Sequence, residues 1–364
     1  MTVQHAATMR EFDRLFDNPA LYPLDLDLAH GRIRFMHLTE TCYDESPFLD
    51  VRLRRPGGGE FELELARLVE LYGRVRPPRR PMFWLFHIGH CGSTLLSRML
   101  GSLGGVLVVR EPPPLLELAR RRPPRQLKNA TRWRDSFVLI LSLLSRTFDR
   151  QDIALVKPNS HANSLIGHML DWHPDTRALM LYIGLEPWLA TMLRTHTRPE
   201  IQHAVDRYRM ADFRLLTDVE EHLELDDARR AALIWLVQMY EMTQAAAVYP
   251  YRVRIMNFDR ILEDTRAALA HLAGFLGLPT DGTRVSLALD LSTRHAKFVD
   301  EPYDVRSRQH MLDEARREFA QEIRDGLAWA QQACERHAAL GSLPHDPLGA
   351  GRAQATAASQ PDPG

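Results

Sequence analysis

The chain has 364 residues, 45% hydrophobic and 26% charged, with a formal net charge of −1. This suits a globular enzyme with a sizeable core, and the near-zero charge gives no whole-chain case for a nucleic-acid or anionic-membrane partner. The three cysteines, Cys42, Cys91 and Cys334, are odd in number and far apart, which argues against a disulfide framework and fits a reducing compartment. No Cys/His cluster has zinc-ligand spacing, so no metal is expected. The N-terminus lacks the apolar core of a signal peptide and no run is long enough to span a bilayer, so the expected location is cytoplasmic.

Residues before Gly31 read as a helix and then a loop, with Pro19 and Pro23 as breakers. Arg32 to His37 and Phe48 to Leu53 read as short strands on either side of the turn-rich Asp44-Glu-Ser-Pro47. After the glycines at 57–59, Phe61 to Tyr72 has helical spacing, and Arg76-Pro-Pro-Arg-Arg-Pro81 is a stiff linker. Residues 1–80 are therefore expected to form an N-terminal extension of a helix plus short strands, packed on a main domain of residues 81–340.

That domain opens with an apolar run, Met82 to Ile88, which passes through Gly89-His90-Cys91-Gly92-Ser93-Thr94 into the helical spacing of Leu95, Leu96, Met99 and Leu100. Strand, glycine-containing turn and helix aim backbone N–H groups and a helix N-terminus at one anion. The stretch is either a phosphate-binding loop or an ordinary β-to-α connection; Gly92, Ser93 and Thr94 suit the first. Further strands are expected at Gly105–Arg110, Ile153–Val156, Arg177–Ile183 and Tyr251–Met256, separated by helices that include a long one from Asp226 to Val248. Short apolar strands alternating with helices predict an α/β fold, a central parallel sheet with helices on both faces. Ligands then lie beyond the carboxyl ends of the strands, at His90–Thr94, Glu111, Lys157–His161 and from Leu185 onward. Residues 341–364, rich in Gly, Pro, Ala, Ser and Gln, are expected to be a disordered tail.

The loop is not a Walker A motif, because no lysine follows Gly92. His90-Cys91-Gly92-Ser93-Thr94-Leu95-Leu96 instead resembles the Arg-Ser-Gly-Thr-Thr-Leu-Leu core of the 5′-phosphosulfate loop of bacterial sulfotransferases. Leu155-Val-Lys-Pro158, then His173-Pro-Asp-Thr-Arg177 and Glu186-Pro187, are similar to the family's Lys-(Ser/Thr)-Pro, Phe-Pro-Asp-Ala-Arg and Arg-Asp-Pro segment. Val253 to Thr265 with Ala273 to Pro279 resembles its Tyr-Glu-Asp-Leu and Phe-Leu-Gly-Leu blocks, and Arg294-His-Ala-Lys297 with Tyr303 its late basic segment. The likeness runs from about Pro81 to Trp329, in the family's order.

The resemblance implies a P-loop sulfotransferase-like fold and a nucleotide donor, 3′-phosphoadenosine 5′-phosphosulfate, whose sulfonate passes to an unspecified hydroxyl or amine. It implies donor binding by Gly89, His90, Cys91, Gly92, Ser93, Thr94 and Leu95, with Arg194, Arg294 and Lys297 as further cations. The family's Arg of Arg-Asp-Pro and a Ser eight positions later hold the 3′-phosphate; here they are Leu185 and Leu193. The alternative is therefore a sulfotransferase-fold protein that binds without catalysing.

Lys157, at a strand end in a chain with only two other lysines, Lys128 and Lys297, is the first candidate to hold the sulfonate or leaving oxygen. Lys157→Ala is expected to keep the fold and lose transfer. His90 stands where relatives carry Lys or Arg, either as a charged partner of the phosphates or as a neutral loop cap. Glu111 is the first candidate base, against a simple pairing with an arginine, and His161 is the second. Cys91 is either a lowered-pKa thiol or a packing residue. His87, inside the strand, reads as a satisfied core histidine.

Overall fold

A computed structural model describes residues 14–50, 52–53, 59–123, 131–149, 151–201, 225–291 and 305–337. Lys128, Arg294, Lys297, Tyr303 and the tail at 341–364 lie outside them. The described strands form two sheets. The larger is parallel, in the order β5 (Val106–Arg110), β6 (Ile153–Lys157), β4 (Met82–His87), β7 (Arg177–Tyr182), β8 (Val253–Asn257). Every residue of β4 and β5 is buried; β4 lies between β6 and β7, and β5, at the edge of the described sheet, is covered on both faces as strands of a parallel sheet are. Full burial of one Leu or Phe stabilises by about 1.5–3 kcal/mol. The chain crosses from β4 to β5, returns to β6 between them, and then moves to the opposite side of β4 for β7 and β8. The direction of winding thus reverses at β4, the position in an open sheet where ligands bind.

The smaller sheet is antiparallel: β1 (Leu21–Asp27), β2 (Arg32–His37) and β3 (Glu60–Glu64). The extension departs from expectation in four places. Leu21–Asp27 is a strand rather than a loop: Pro23 is tolerated because β1 is an edge strand whose register slips between Pro23 and Asp25. Phe61–Leu63 belongs to β3, and helix α2 (Leu65–Val75) starts only after it; the alternating Glu60-Phe-Glu-Leu-Glu64 had the two-residue period of a strand. Helix α1 (Glu40–Glu45) occupies part of the expected turn. Phe48–Leu53 is not a strand over its described residues, because the Leu49 N–H donates to the Arg110 carbonyl and Asp50 Oδ1 accepts the Arg52 N–H in a local turn.

Two buried guanidiniums fasten this extension to the parallel domain. Arg146, just beyond helix α5 (Thr131–Leu144), donates to the carbonyls of Leu15, Asn18, Leu21 and Leu143. Arg110, the last residue of β5, donates to the Tyr43 and Ser46 carbonyls and to Ser97 Oγ. Burial pushes Arg146 down to about 10 and Arg110 to about 9, but both stay charged near neutrality, and carbonyl oxygens take most of the hydrogen bonds that they donate. No described helix is long and apolar enough to cross a membrane.

Candidate functional site

The loop after β4 is shaped by three left-handed residues in four: Gly89 (φ 76°), His90 (φ 48°) and Gly92 (φ 81°). His90 is not a glycine, and a non-glycine residue held there marks local strain of the kind found at functional sites. Side chains from the surrounding body hold the carbonyls of the loop's entry. Asn163 Nδ2 donates to the His87 carbonyl, Gln238 Nε2 to that of Ile88 and Trp188 Nε1 to that of Gly89. His87 Nδ1 accepts the Gly89 N–H at 3.0 Å, so Nε2 carries the hydrogen and donates to the Pro158 carbonyl. Burial, then Lys157, pushes this histidine well below its ordinary value and keeps it neutral; it is the satisfied core residue expected. Gly92 caps helix α3 (Ser93–Ser102), whose first amides have no acceptor within the helix. Those amides and the carbonyl-anchored loop form a seat for an anion. Burial raises the Cys91 thiol to about 12, and its Sγ donates to the Leu181 carbonyl; it is a packing residue, not an activated thiol.

Beside the loop, the parallel register sets Arg110 opposite Lys157, so the residue following β5 meets the end of β6. Lys157 is fully buried, and its Nζ donates to Glu111 Oε1 at 2.5 Å. Asn159 Nδ2 donates to Oε2 at 3.1 Å, and Arg52 stands 3.5 Å from the same oxygen. Glu111 is also left-handed, φ 55°, with its N–H donated to the Lys157 carbonyl. Burial alone would raise its carboxyl, but the Lys157 charge overrides that and pushes it to about 2. The pairing with an arginine, which stood as the alternative to a base role, is present only as the secondary contact of Arg52; the main partner is Lys157. The expected direct contact of Lys157 with a ligand is not available in this geometry, because its ammonium is enclosed behind Glu111.

The Glu111 shift carries a pH signature. A carboxyl lowered from about 4.5 to about 2 stabilises the fold fully above its unfolded value, and that contribution disappears as pH falls through about 2. The stability difference between wild type and Glu111→Gln should be constant above about pH 5 and shrink towards zero near pH 2 in urea titrations. A difference independent of pH over that window would contradict the pairing.

The loop and Glu111 open on one cavity of about 680 Å³. The order of the strands divides it. On the β5–β6 side stand Phe48, Asp50, Arg52, Glu111, Arg120 and Asn159–His161. On the β7–β8 side stand Trp188, Thr191, Arg194, Glu200, Phe258 and Arg308. Gly89 to Leu95 lie between. Of the expected site residues, the cavity gathers the whole loop with Glu111, His161 and Arg194; it leaves Lys157 one layer behind. His90 Nε2 is 3.0 Å from Glu200 Oε2. Leu193 is fully buried and Leu185 begins helix α6 (Leu185–Met192), so neither presents a polar group.

Sequence reasoning missed Arg52, Glu200 and Arg308, and covered Asn159 only within the range Lys157–His161, with no role of its own. Asn159 had a signal, since it lies between Lys157 and His161 beyond a strand end. The other three come from distant segments joined only by packing: Arg308 is set by Asp259 at 2.7 Å, and Arg52 by Asp50 and the Phe48 ring, 3.5 Å from its guanidinium carbon.

No family model matches the chain, and no curated protein does. Among solved structures it is similar to the sulfotransferase domain from the curacin biosynthetic pathway, at 13% identity and a TM-score of 0.37 over 66% of this chain and 98% of that one. A sulfotransferase from Alicyclobacillus acidocaldarius also matches at 13% identity and a TM-score of 0.37, covering 70% of this chain and 95% of that one. A sulfotransferase from Mycobacterium tuberculosis matches at 12% identity and a TM-score of 0.40, over 70% of this chain and 82% of that one.

Proposed function

We propose that this chain transfers a sulfonate from 3′-phosphoadenosine 5′-phosphosulfate to a hydroxyl or amine acceptor. The observation that carries the proposal is the meeting of a carbonyl-anchored, left-handed anion loop with the Glu111–Lys157 pair across one cavity at the carboxyl edge of the sheet. In-line transfer needs donors around a trigonal, negatively charged group, charge at the departing oxygen and an acceptor aimed at sulfur; positioning and electrostatics then do most of the catalysis. The amides of Cys91 to Leu95, with Ser93 and Thr94, hold the 5′-phosphosulfate, and His90 stands at the departing phosphate oxygen. The acceptor oxygen forms a bond to sulfur as the sulfur–oxygen bond to phosphate breaks, leaving 3′,5′-bisphosphoadenosine.

The acceptor proton goes to a nearby base. Glu111 at about 2 is a poor proton acceptor near neutrality; its part is to orient the acceptor, with Lys157 positioning the carboxylate. His161, on the same side of the cavity, has the chemistry better matched to taking the proton. On the β7–β8 side, Arg194 is half-buried on the cavity wall, its guanidinium without a hydrogen-bond or ion-pair partner among the described residues. Together with Arg308 it supplies the charge that Leu185 and Leu193 do not.

Thermal-shift titration with 3′,5′-bisphosphoadenosine tests the donor. At a hundredfold over its dissociation constant it should add roughly 2.7 kcal/mol of stability. Stabilisation by other nucleotides but not by this one would overturn the donor assignment. Leu185 and Leu193 favour a second reading, a binding protein on the same architecture; it predicts that bisphosphoadenosine binds and no acceptor is ever modified.

A further inference from the structure

We infer that the acceptor is itself an anion, a small molecule bearing a carboxylate, phosphate or sulfate, and that Arg120 recognises that group. The inference depends on the sulfotransferase proposal for the word acceptor, though the anion site it names does not.

The β7–β8 side of the cavity has the aromatic Trp188 and Phe258 with Arg194 and Arg308, which suits a nucleotide. The donor thus leaves the β5–β6 side, beyond Glu111, to the second substrate. Charge on that side is unbalanced. Asp50 is taken by Arg52, at 2.5 Å to its Oδ2, and Glu111 by Lys157 with Arg52 secondary. Three cations, Lys157, Arg52 and Arg120, thus face two carboxylates, and the surplus is Arg120.

The run Arg120-Arg121-Arg122, after helix α4 (Pro113–Arg120), shows the surplus is specific. Arg121 Nε donates to Glu117 at 3.2 Å, and Arg122 donates to the Ser164 carbonyl. Arg120 alone of the three lines the cavity, and it has no partner among the described residues. A guanidinium at the mouth of a cleft, with five donors and no carboxylate, binds a carboxylate or oxyanion in a two-pronged geometry. It would place an acceptor hydroxyl at the opposite end of the molecule near Glu111. Neutral or cationic acceptors gain nothing from it.

The test uses the full chain and inorganic sulfate as the minimal anion, with the donor half saturated by 3′,5′-bisphosphoadenosine and sodium chloride at matched ionic strength as the control. Sulfate should stabilise the wild type beyond chloride, and Arg120→Glu should weaken that effect at least fivefold. The variant's melting temperature without added anions should match the wild type, since the Arg120 side chain is exposed and makes no hydrogen bond or ion pair with a described residue. Sulfate stabilisation equal in wild type and variant, or absent from both, overturns the inference. If bisphosphoadenosine fails to bind while the sulfate difference persists, the donor assignment falls and the anion site stands. If bisphosphoadenosine binds and the difference is missing, the reverse holds.

Discussion

Lys157→Met is expected to lower the free energy of unfolding by about 3–5 kcal/mol, measured by urea denaturation, because it strands a buried carboxylate. Lys157 is fully buried and holds Glu111 at 2.5 Å; without it, Glu111 keeps Asn159 at 3.1 Å and Arg52 at 3.5 Å. Glu111→Gln should cost a similar amount by leaving the ammonium unpaired. The double variant should recover much of the loss, since exchanging a whole buried pair for neutral groups of like shape is far cheaper than removing one partner. A single variant within about 1 kcal/mol of wild type would show that the pair is solvated rather than buried. The same enclosure revises the expectation for Lys157→Ala: a solvated strand-end lysine is dispensable for folding, whereas this one is not. The stable double variant, not the alanine variant, is the protein in which loss of transfer can be assigned to chemistry.

Gly92→Ala should abolish anion binding, seen as complete loss of the bisphosphoadenosine shift. A Cβ there would lie 2.2 Å from Phe258 Cζ and 2.3 Å from Cε1, which no side-chain adjustment at position 92 relieves. The φ of 81° adds about 1–2 kcal/mol of left-handed strain for alanine. The peptide must then rotate, and the amides at the start of the helix turn from the cavity. Gly89→Ala is the comparison. Its φ of 76° carries like strain, but its Cβ would meet only Ser160 Oγ at 3.4 Å. It should weaken binding without eliminating it. Adding Phe258→Ala to Gly92→Ala should restore part of the binding; no restoration would assign the defect to backbone strain alone.

The parallel strands were legible because a strand buried on both faces needs an unbroken apolar run: β4, β5 and β6 each begin with one and end on a single polar residue, His87, Arg110 and Lys157. The loop was legible through its glycines and the switch to helical spacing. The antiparallel strands of the extension were harder, because β3 is half-exposed and β1 contains a proline. Glu111 and Lys157 were each readable as strand-end residues, but not as partners: they are 46 residues apart, and only the order of β5 beside β6 brings them together. For the same reason Arg110 gave no sign that it would be buried against carbonyls of Tyr43 and Ser46, or that Arg52 would reach the cavity.

The most direct measurement is mass spectrometry of the chain incubated with 3′-phosphoadenosine 5′-phosphosulfate and a metabolite extract. The account predicts release of 3′,5′-bisphosphoadenosine matched by the mass gain of one sulfonate replacing a proton on an anionic acceptor, both abolished in Gly92→Ala. Bisphosphoadenosine that binds but is never produced, with no acceptor gaining mass, would contradict catalysis and leave a binding protein.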